Sequence, residues 1–192
     1  MVDTVLSILI GLGLAAACGF RVFVPLLVMS LASRAEVGHL VLGDHFAWIG
    51  STPALIAFSV ATALEIAGYY IPWVDNLLDA VATPTAIVAG ILVTASAMSA
   101  DISPMLKWTL AVLAGGGTTA VFQGVTAMVR HISSFTTGGL GNPVVATAEA
   151  GSSALLAVLA ITLPVLAFLL VMALLYVGVK KLLFRRPVAR AA

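Results

Sequence analysis

Long apolar stretches, broken at wide intervals by single polar residues, run through most of this chain. A membrane-crossing helix needs about 20 mostly apolar residues. Five stretches qualify, roughly 4–33, 52–72, 84–100, 105–129 and 144–182. The first runs from Thr4 to Ser33 and is interrupted only by Arg21. The second opens on Ser51-Thr52-Pro53, a hydroxyl cap followed by proline that marks a helix start, and Pro72 kinks or ends it. Trp73 to Asp79 then reads as an interfacial segment, with Tyr69, Tyr70 and Trp73 at headgroup level. The third stretch starts after Thr83-Pro84 and stops at Asp101. The fourth starts near Ser103-Pro104, passes through Gly115-Gly116-Gly117 and ends at Arg130-His131. Between Pro143 and Phe184 no loop is evident, only Pro164 near the middle. That is about 60 Å of helix, twice a bilayer. Either one helix is tilted and kinked at Pro164, or the Pro143–Thr162 half is a separate, partly buried element.

The pattern predicts an all-α, polytopic integral membrane helical bundle of about five spans. Residues 1–184 form a single transmembrane domain and residues 185–192 a basic cytoplasmic tail. Composition agrees: 61% of residues are hydrophobic, only 9% are charged, and the mean hydropathy is +1.17. Soluble domains carry about a quarter charged residues. A net charge of +1 argues against nucleic acid as a partner. The single cysteine, Cys18, excludes an intrachain disulfide. It closes an Ala15-Ala16-Ala17-Cys18 run loosely like a lipoprotein cleavage box, but Asp3 stands where a basic leader would be, so lipidation is rejected. Lys180, Lys181, Arg185, Arg186 and Arg190 crowd the C-terminus, which the positive-inside rule places in the cytoplasm. Five spans then put the N-terminus outside and the loops bearing Arg34 and Lys107 inside. Asp75, Asp79 and Arg130 fall outside, Arg130 against the rule.

Three ionisable residues, Arg21, Glu65 and Glu149, sit within the apolar stretches. Charge at bilayer depth is costly and by default marks function. Two halves of the chain also resemble one another. Phe20-Arg21 follows a small-residue run as Phe122-Gln123 follows Gly115-Gly116-Gly117, and Ala61 to Gly68 resembles Ala146 to Gly151. This suggests an inverted repeat, spans 1–2 against spans 4–5, with a transport site where the halves meet. Arg21, Glu65, Gln123 and Glu149 would then converge near the midplane with a local charge of −1. Such a site could hold a cation or a proton, or use Arg21 as counter-ion to an anion. The structural reading ties Arg21 to a glutamate merely to join helices.

Other constellations are weaker. Asp75, Asn76 and Asp79 share a helical face and could ligate a hard divalent cation such as Mg²⁺ or Ca²⁺, though a solvated helix start fits as well. Glu36, His39, Asp44 and His45 match no metal-site spacing and read as a polar turn. Thr136 to Pro143 offers an anion nest or, better, a glycine turn. No Ser-His-Asp arrangement, phosphate-binding loop or dinucleotide fingerprint occurs, and no other cofactor is indicated.

Three strings carry a family resemblance: Gly19-Phe20-Arg21-Val22-Phe23-Val24-Pro25-Leu26-Leu27, Tyr70 to Asp79, and Thr137 to Pro143. Over about residues 10–170 the chain resembles the bacterial membrane family known as domain of unknown function 4126. The resemblance implies a multi-pass protein of a bacterial inner membrane, and no activity. The residues themselves point to a small transporter or channel, for a cation or coupled to protons, acting on a small ion or solute and forming a homodimer. The alternative is a non-transporting scaffold that binds lipid or a partner protein. An enzyme is not expected: no nucleophile or phosphate-binding arginine cluster accompanies Asp75 and Asp79.

Overall fold

A computed structural model describes residues 2–183, apart from the side chains at 72, 73, 75, 76, 79, 178, 179 and 181–183. Among the described residues eight α-helices carry the fold: α1 (Val2–Cys18), α2 (Phe23–Ala35), α3 (Thr52–Gly68), α4 (Pro72–Ala97), α5 (Pro104–Leu110), α6 (Gly117–Thr137), α7 (Asn142–Thr162) and α8 (Pro164–Leu183). A 3₁₀ turn, Asp44–Gly50, leads into α3, and a π-helical stretch, Ala111–Gly116, joins α5 to α6 in one 34-residue rod. The described residues contain no strand, so the all-α bundle holds. By length and composition Ala80–Ala97, Pro104–Thr137 and Asn142–Thr162 can each cross a bilayer. The 3₁₀ turn and α3, bent by 61°, make a fourth if the pair is counted as one span, against about five expected.

Helix starts follow local chemistry. Ser51 Oγ accepts the Ala54 N–H at 3.3 Å and Ser103 Oγ the Leu106 N–H at 3.4 Å, with proline two residues after Ser51 and directly after Ser103. Two predicted boundaries move, and the open choice for the last stretch is decided. α4 begins at Pro72 and runs through Pro84, which was expected to start it. The rod continues past Arg130 to Thr137, where Gly138 at φ 62° stops it. The last stretch is two helices, broken at Leu163, so that Ala160 and Ala167 both pack on Gly13.

The largest departure is in the first predicted span, which folds back on itself. α1 runs antiparallel to α7: Gly13 meets Ala160, Ser153 donates to the Ala17 carbonyl at 2.9 Å, and Arg21 donates to the Ala146 carbonyl at 3.0 Å. α2 runs the opposite way, its Ala32 and Ala35 lining one groove with Ile161 and Thr162. The two helices are therefore a hairpin whose tip is Gly19–Val22. Pro25 explains the break. Inside a continuous helix its ring would clash with the Arg21 carbonyl, whereas in the first turn of α2 its missing N–H costs nothing. The hairpin also corrects the expected topology. Asp3, His39, Asp44 and Asp101 line one cavity, so the N-terminus and the loop after Arg34 lie at the same end of the bundle.

α1 is the axis of the bundle. Its glycines and alanines let neighbours approach to backbone contact, and their hydroxyls bond its carbonyls. Thr94 reaches Gly11 at 3.1 Å, Thr119 reaches Ala15 at 2.7 Å and Thr126 reaches Gly19 at 3.3 Å. Close small-residue packing with interhelical hydrogen bonds is how helices associate in lipid. The exterior is apolar, with Leu64, Val88, Leu113, Leu155 and Leu169 all more than half exposed, while Arg21, Glu65, Arg130 and Glu149 are each at most 8% exposed. Polar inside and apolar outside is the arrangement a bilayer selects.

Candidate functional site

The hairpin tip creates the site. A helix start leaves backbone N–H groups without intrahelical partners, and at α2 two of these meet one carboxylate. Glu65 Oε1 accepts the Val22 N–H at 2.8 Å and Oε2 the Phe23 N–H at 3.0 Å. The negative charge also sits at the favourable end of the α2 dipole. Glu65 reaches this point from the buried stripe of α3, formed by Ala54, Phe58, Thr62, Glu65 and Gly68.

Glu149, on α7, takes both arginines. Arg21 Nη2 lies 3.3 Å from Glu149 Oε2. Arg130 Nε donates to Oε1 at 3.0 Å and its Nη2 to Oε2, a bidentate pair. Both guanidinium groups also stand over the ring of Tyr69, 3.9 and 3.8 Å from its centroid. Arg21 uses Nη2 for Glu149 and for the Ala146 carbonyl. Its Nε and Nη1 are buried without any protein acceptor, and the hydroxyls of Thr62 and Ser30 share that condition.

Three of the four expected ion-site residues, Arg21, Glu65 and Glu149, are thus brought together. Gln123 is not joined to them by any hydrogen bond among the described residues; its backbone packs on Gly19. The backbone also departs from the repeat there, folding back at Arg21 and running straight through Gln123. Arg130, expected at the outer surface, supplies the second cation, so that among the described residues the cluster is neutral rather than −1. Tyr69 was expected at headgroup level and is 6% exposed. A signal for Arg130 exists: Thr119, Gln123, Thr126 and Arg130 repeat at helical spacing and form the buried stripe of α6. Along α7 the cluster lies off the helix centre, toward its start. Glu149 is seven residues from the start of α7, about 10 Å from that end. Exposed Phe135 and Val144 continue the apolar surface past it.

The proposed metal ligands Asp75, Asn76 and Asp79 lie on the first turns of α4, with side chains outside the described residues. Among the described residues no group of three or more His, Cys, Asp or Glu is placed to hold a metal. Within Thr136 to Pro143, residues 138–141 make the turn between α6 and α7, with Gly138 and Gly139 at positive φ.

The model of a family described as a domain of unknown function, DUF4126, matches residues 8–183. The chain belongs to the DUF4126 family. No curated protein and no solved structure matches it. The DUF4126 region includes the hairpin, both arginines, both glutamates and Tyr69, so the cluster is internal to the family's domain. What that domain does must be read from the cluster.

Proposed function

We propose that this chain is a small transporter or channel of a bacterial inner membrane, with its C-terminus in the cytoplasm and the Arg21–Glu65–Arg130–Glu149 cluster as its transport site. One observation carries the reading: Arg21, buried in an apolar-walled bundle beside a broken helix, keeps donors that the protein leaves unused. Broken helices are tolerated at membrane depth where they line a site. Neutral packing would be cheaper than any buried ion pair. Coupling to protons suits the geometry better than direct cation ligation. Both carboxylates are already engaged by N–H donors, so a cation would have to displace them, whereas a proton on Glu149 would release two guanidinium groups. The cluster is built from one chain, and a homodimer axis is not required for it.

Proteoliposome flux tests the reading. The parent should carry protons or a small ion, and Glu149→Gln, which has no proton to release, should abolish the flux. A parent without flux for protons or small inorganic ions would sink it. One observation favours the scaffold alternative: Glu149 ties the hairpin tip to α6 and α7. A scaffold shows no flux, and its cluster variants lose only stability.

A further inference from the structure

Buried hydroxyls around α1 are doubly satisfied. Thr94, Thr119 and Thr126 each reach a carbonyl of their own helix and one of α1 or the hairpin tip. Ser30 and Thr62 do neither: their hydroxyls are buried without a protein partner, as are Nε and Nη1 of Arg21. All four atoms belong to the hairpin and to α3. The two helices run antiparallel in a register set at both ends. Glu65 takes the Val22 and Phe23 N–H groups, and Arg34 the Gly50 carbonyl and the Thr52 hydroxyl, each at 3.1 Å. Ser30 lies one turn from Arg34, on the face of α2 that meets α3. It stands about 10 Å along the seam from Phe23, and Thr62, on the buried stripe of α3, about 4.5 Å from Glu65. The two hydroxyls are therefore about 6 Å apart along the seam, near the length of two hydrogen bonds through one water.

Buried polar groups in folded proteins bond to protein or to ordered water, and a buried water needs two to four polar partners. The seam offers such partners in succession. After Ser30 and Thr62 come the Glu65 oxygens, each accepting one backbone N–H where a carboxylate has about four acceptor positions in all. The spare donors of Arg21 follow. We propose that the α2–α3 seam is hydrated between Ser30 and Arg21 and is the route by which protons reach Glu65. This rests on the transporter reading and deepens it by naming the ion and its path. Exposed Arg34, one turn beyond Ser30, marks the end of the seam that meets solvent. At each hop a water takes up one proton and gives up another, so one O–H bond forms as one breaks. The last hop leaves the proton on a Glu65 oxygen. An isolated arginine at the end of such a file would be a barrier to protons. Here Glu65 and Glu149 offset Arg21 and Arg130, so among the described residues the route does not end on a net positive charge.

Two measurements on the full chain test the route. Thr62→Val is nearly isosteric and Ser30→Ala removes one atom, so both should fold. In a dry seam either change deletes an unpartnered buried hydroxyl, and Tm in detergent would rise by several degrees. In a hydrated seam it deletes a partner of bound water, and no rise is expected. In proteoliposomes each variant should pass protons about tenfold more slowly, the effect of one lost hydrogen bond on a rate. Thr62→Ser keeps the hydroxyl and should retain the parent flux; its loss would assign the effect to volume and overturn the route. Where the parent does show flux, a Tm rise in both hydroxyl-deleting variants refutes this inference alone. So does undiminished proton flux in both, or flux carried only by another ion. A parent without flux, whose variants show no Tm rise, refutes the transporter reading and leaves the seam hydrated.

Discussion

Replacing Glu149 by glutamine should cost this protein a large part of its stability. The substitution keeps shape and one acceptor oxygen but removes a charge that Arg21 and Arg130 share. At 3.3 Å and an effective dielectric of about 20, the Arg21–Glu149 attraction alone amounts to roughly 5 kcal/mol. Breaking one partner of a buried pair costs about 3–5 kcal/mol by measurement, because the remaining charge stays buried. The amide oxygen still accepts from one arginine and recovers about 1 kcal/mol. A net loss of about 3 kcal/mol remains, which at about 2–4 °C per kcal/mol lowers Tm on the order of 10 °C. Fluorescence-detected unfolding in detergent reads this directly. The double variant Glu149→Gln, Arg130→Met removes one stranded cation as well, so its loss should fall short of the sum of the single losses by about 0.5–3 kcal/mol. A single-variant shift under about 2 °C, or strict additivity, would mean that Glu149 does not hold the two arginines.

Glycine substitutions should split by helix contact. A Cβ at Gly115 would meet Thr94 Oγ1, with Thr94 Cβ at 2.8 Å and the Gly90 carbonyl at 3.0 Å, so Gly115→Ala should cost about 1–3 kcal/mol in detergent unfolding. Gly117, two residues on, has nothing within 4 Å, and Gly117→Ala should leave stability unchanged or raise it by up to about 1 kcal/mol; equal losses at both positions would refute the packing of the π-helical stretch on α4. Cys18 is fully buried and should not label, so single cysteines report topology. Asp3→Cys and Asp44→Cys should react with an impermeant maleimide from one side of the membrane and Leu140→Cys from the other, and opposite labelling of Asp3→Cys and Asp44→Cys would defeat the hairpin. A C-terminal fusion should be active as a cytoplasmic and not as a periplasmic reporter.

The fold class was legible because lipid imposes a coarse rule: about 20 apolar residues per span, with breaks at proline, glycine and charge. That rule found α3 from Ser51-Thr52-Pro53, located the break at Pro164, and grouped the rest into stretches of the right length. It failed where punctuation had two meanings. Pro84 and Pro25 are both prolines in apolar runs, yet α4 continues through Pro84 while the chain turns back before Pro25. The difference is tertiary. At Val22 and Phe23 a carboxylate from α3 takes the two N–H groups that an unbroken helix would have used internally, and no local pattern around Pro25 announces an acceptor more than 40 residues away.

The site was half legible for the same reason. Arg21, Glu65 and Glu149 stood out as charges in apolar surroundings, a one-residue signal. Arg130 did not, because its neighbour His131 and the end of the apolar run made it look like a boundary, although the Thr119–Gln123–Thr126–Arg130 spacing carried it onto the buried face. Once Arg130 is inside, the cluster changes character. With Gln123 as fourth member it would be an acidic pocket seeking a cation. With Arg130 there, Glu149 is shared between two guanidinium groups, Glu65 is occupied by the backbone, and the unused capacity lies in the donors of Arg21. A staple would have no reason to leave three such donors unsatisfied at 1% exposure, since an unpartnered buried polar group costs about 1–3 kcal/mol and more when charged. That residual capacity separates a site from a joint, and it is what the flux measurement on this chain puts to the test.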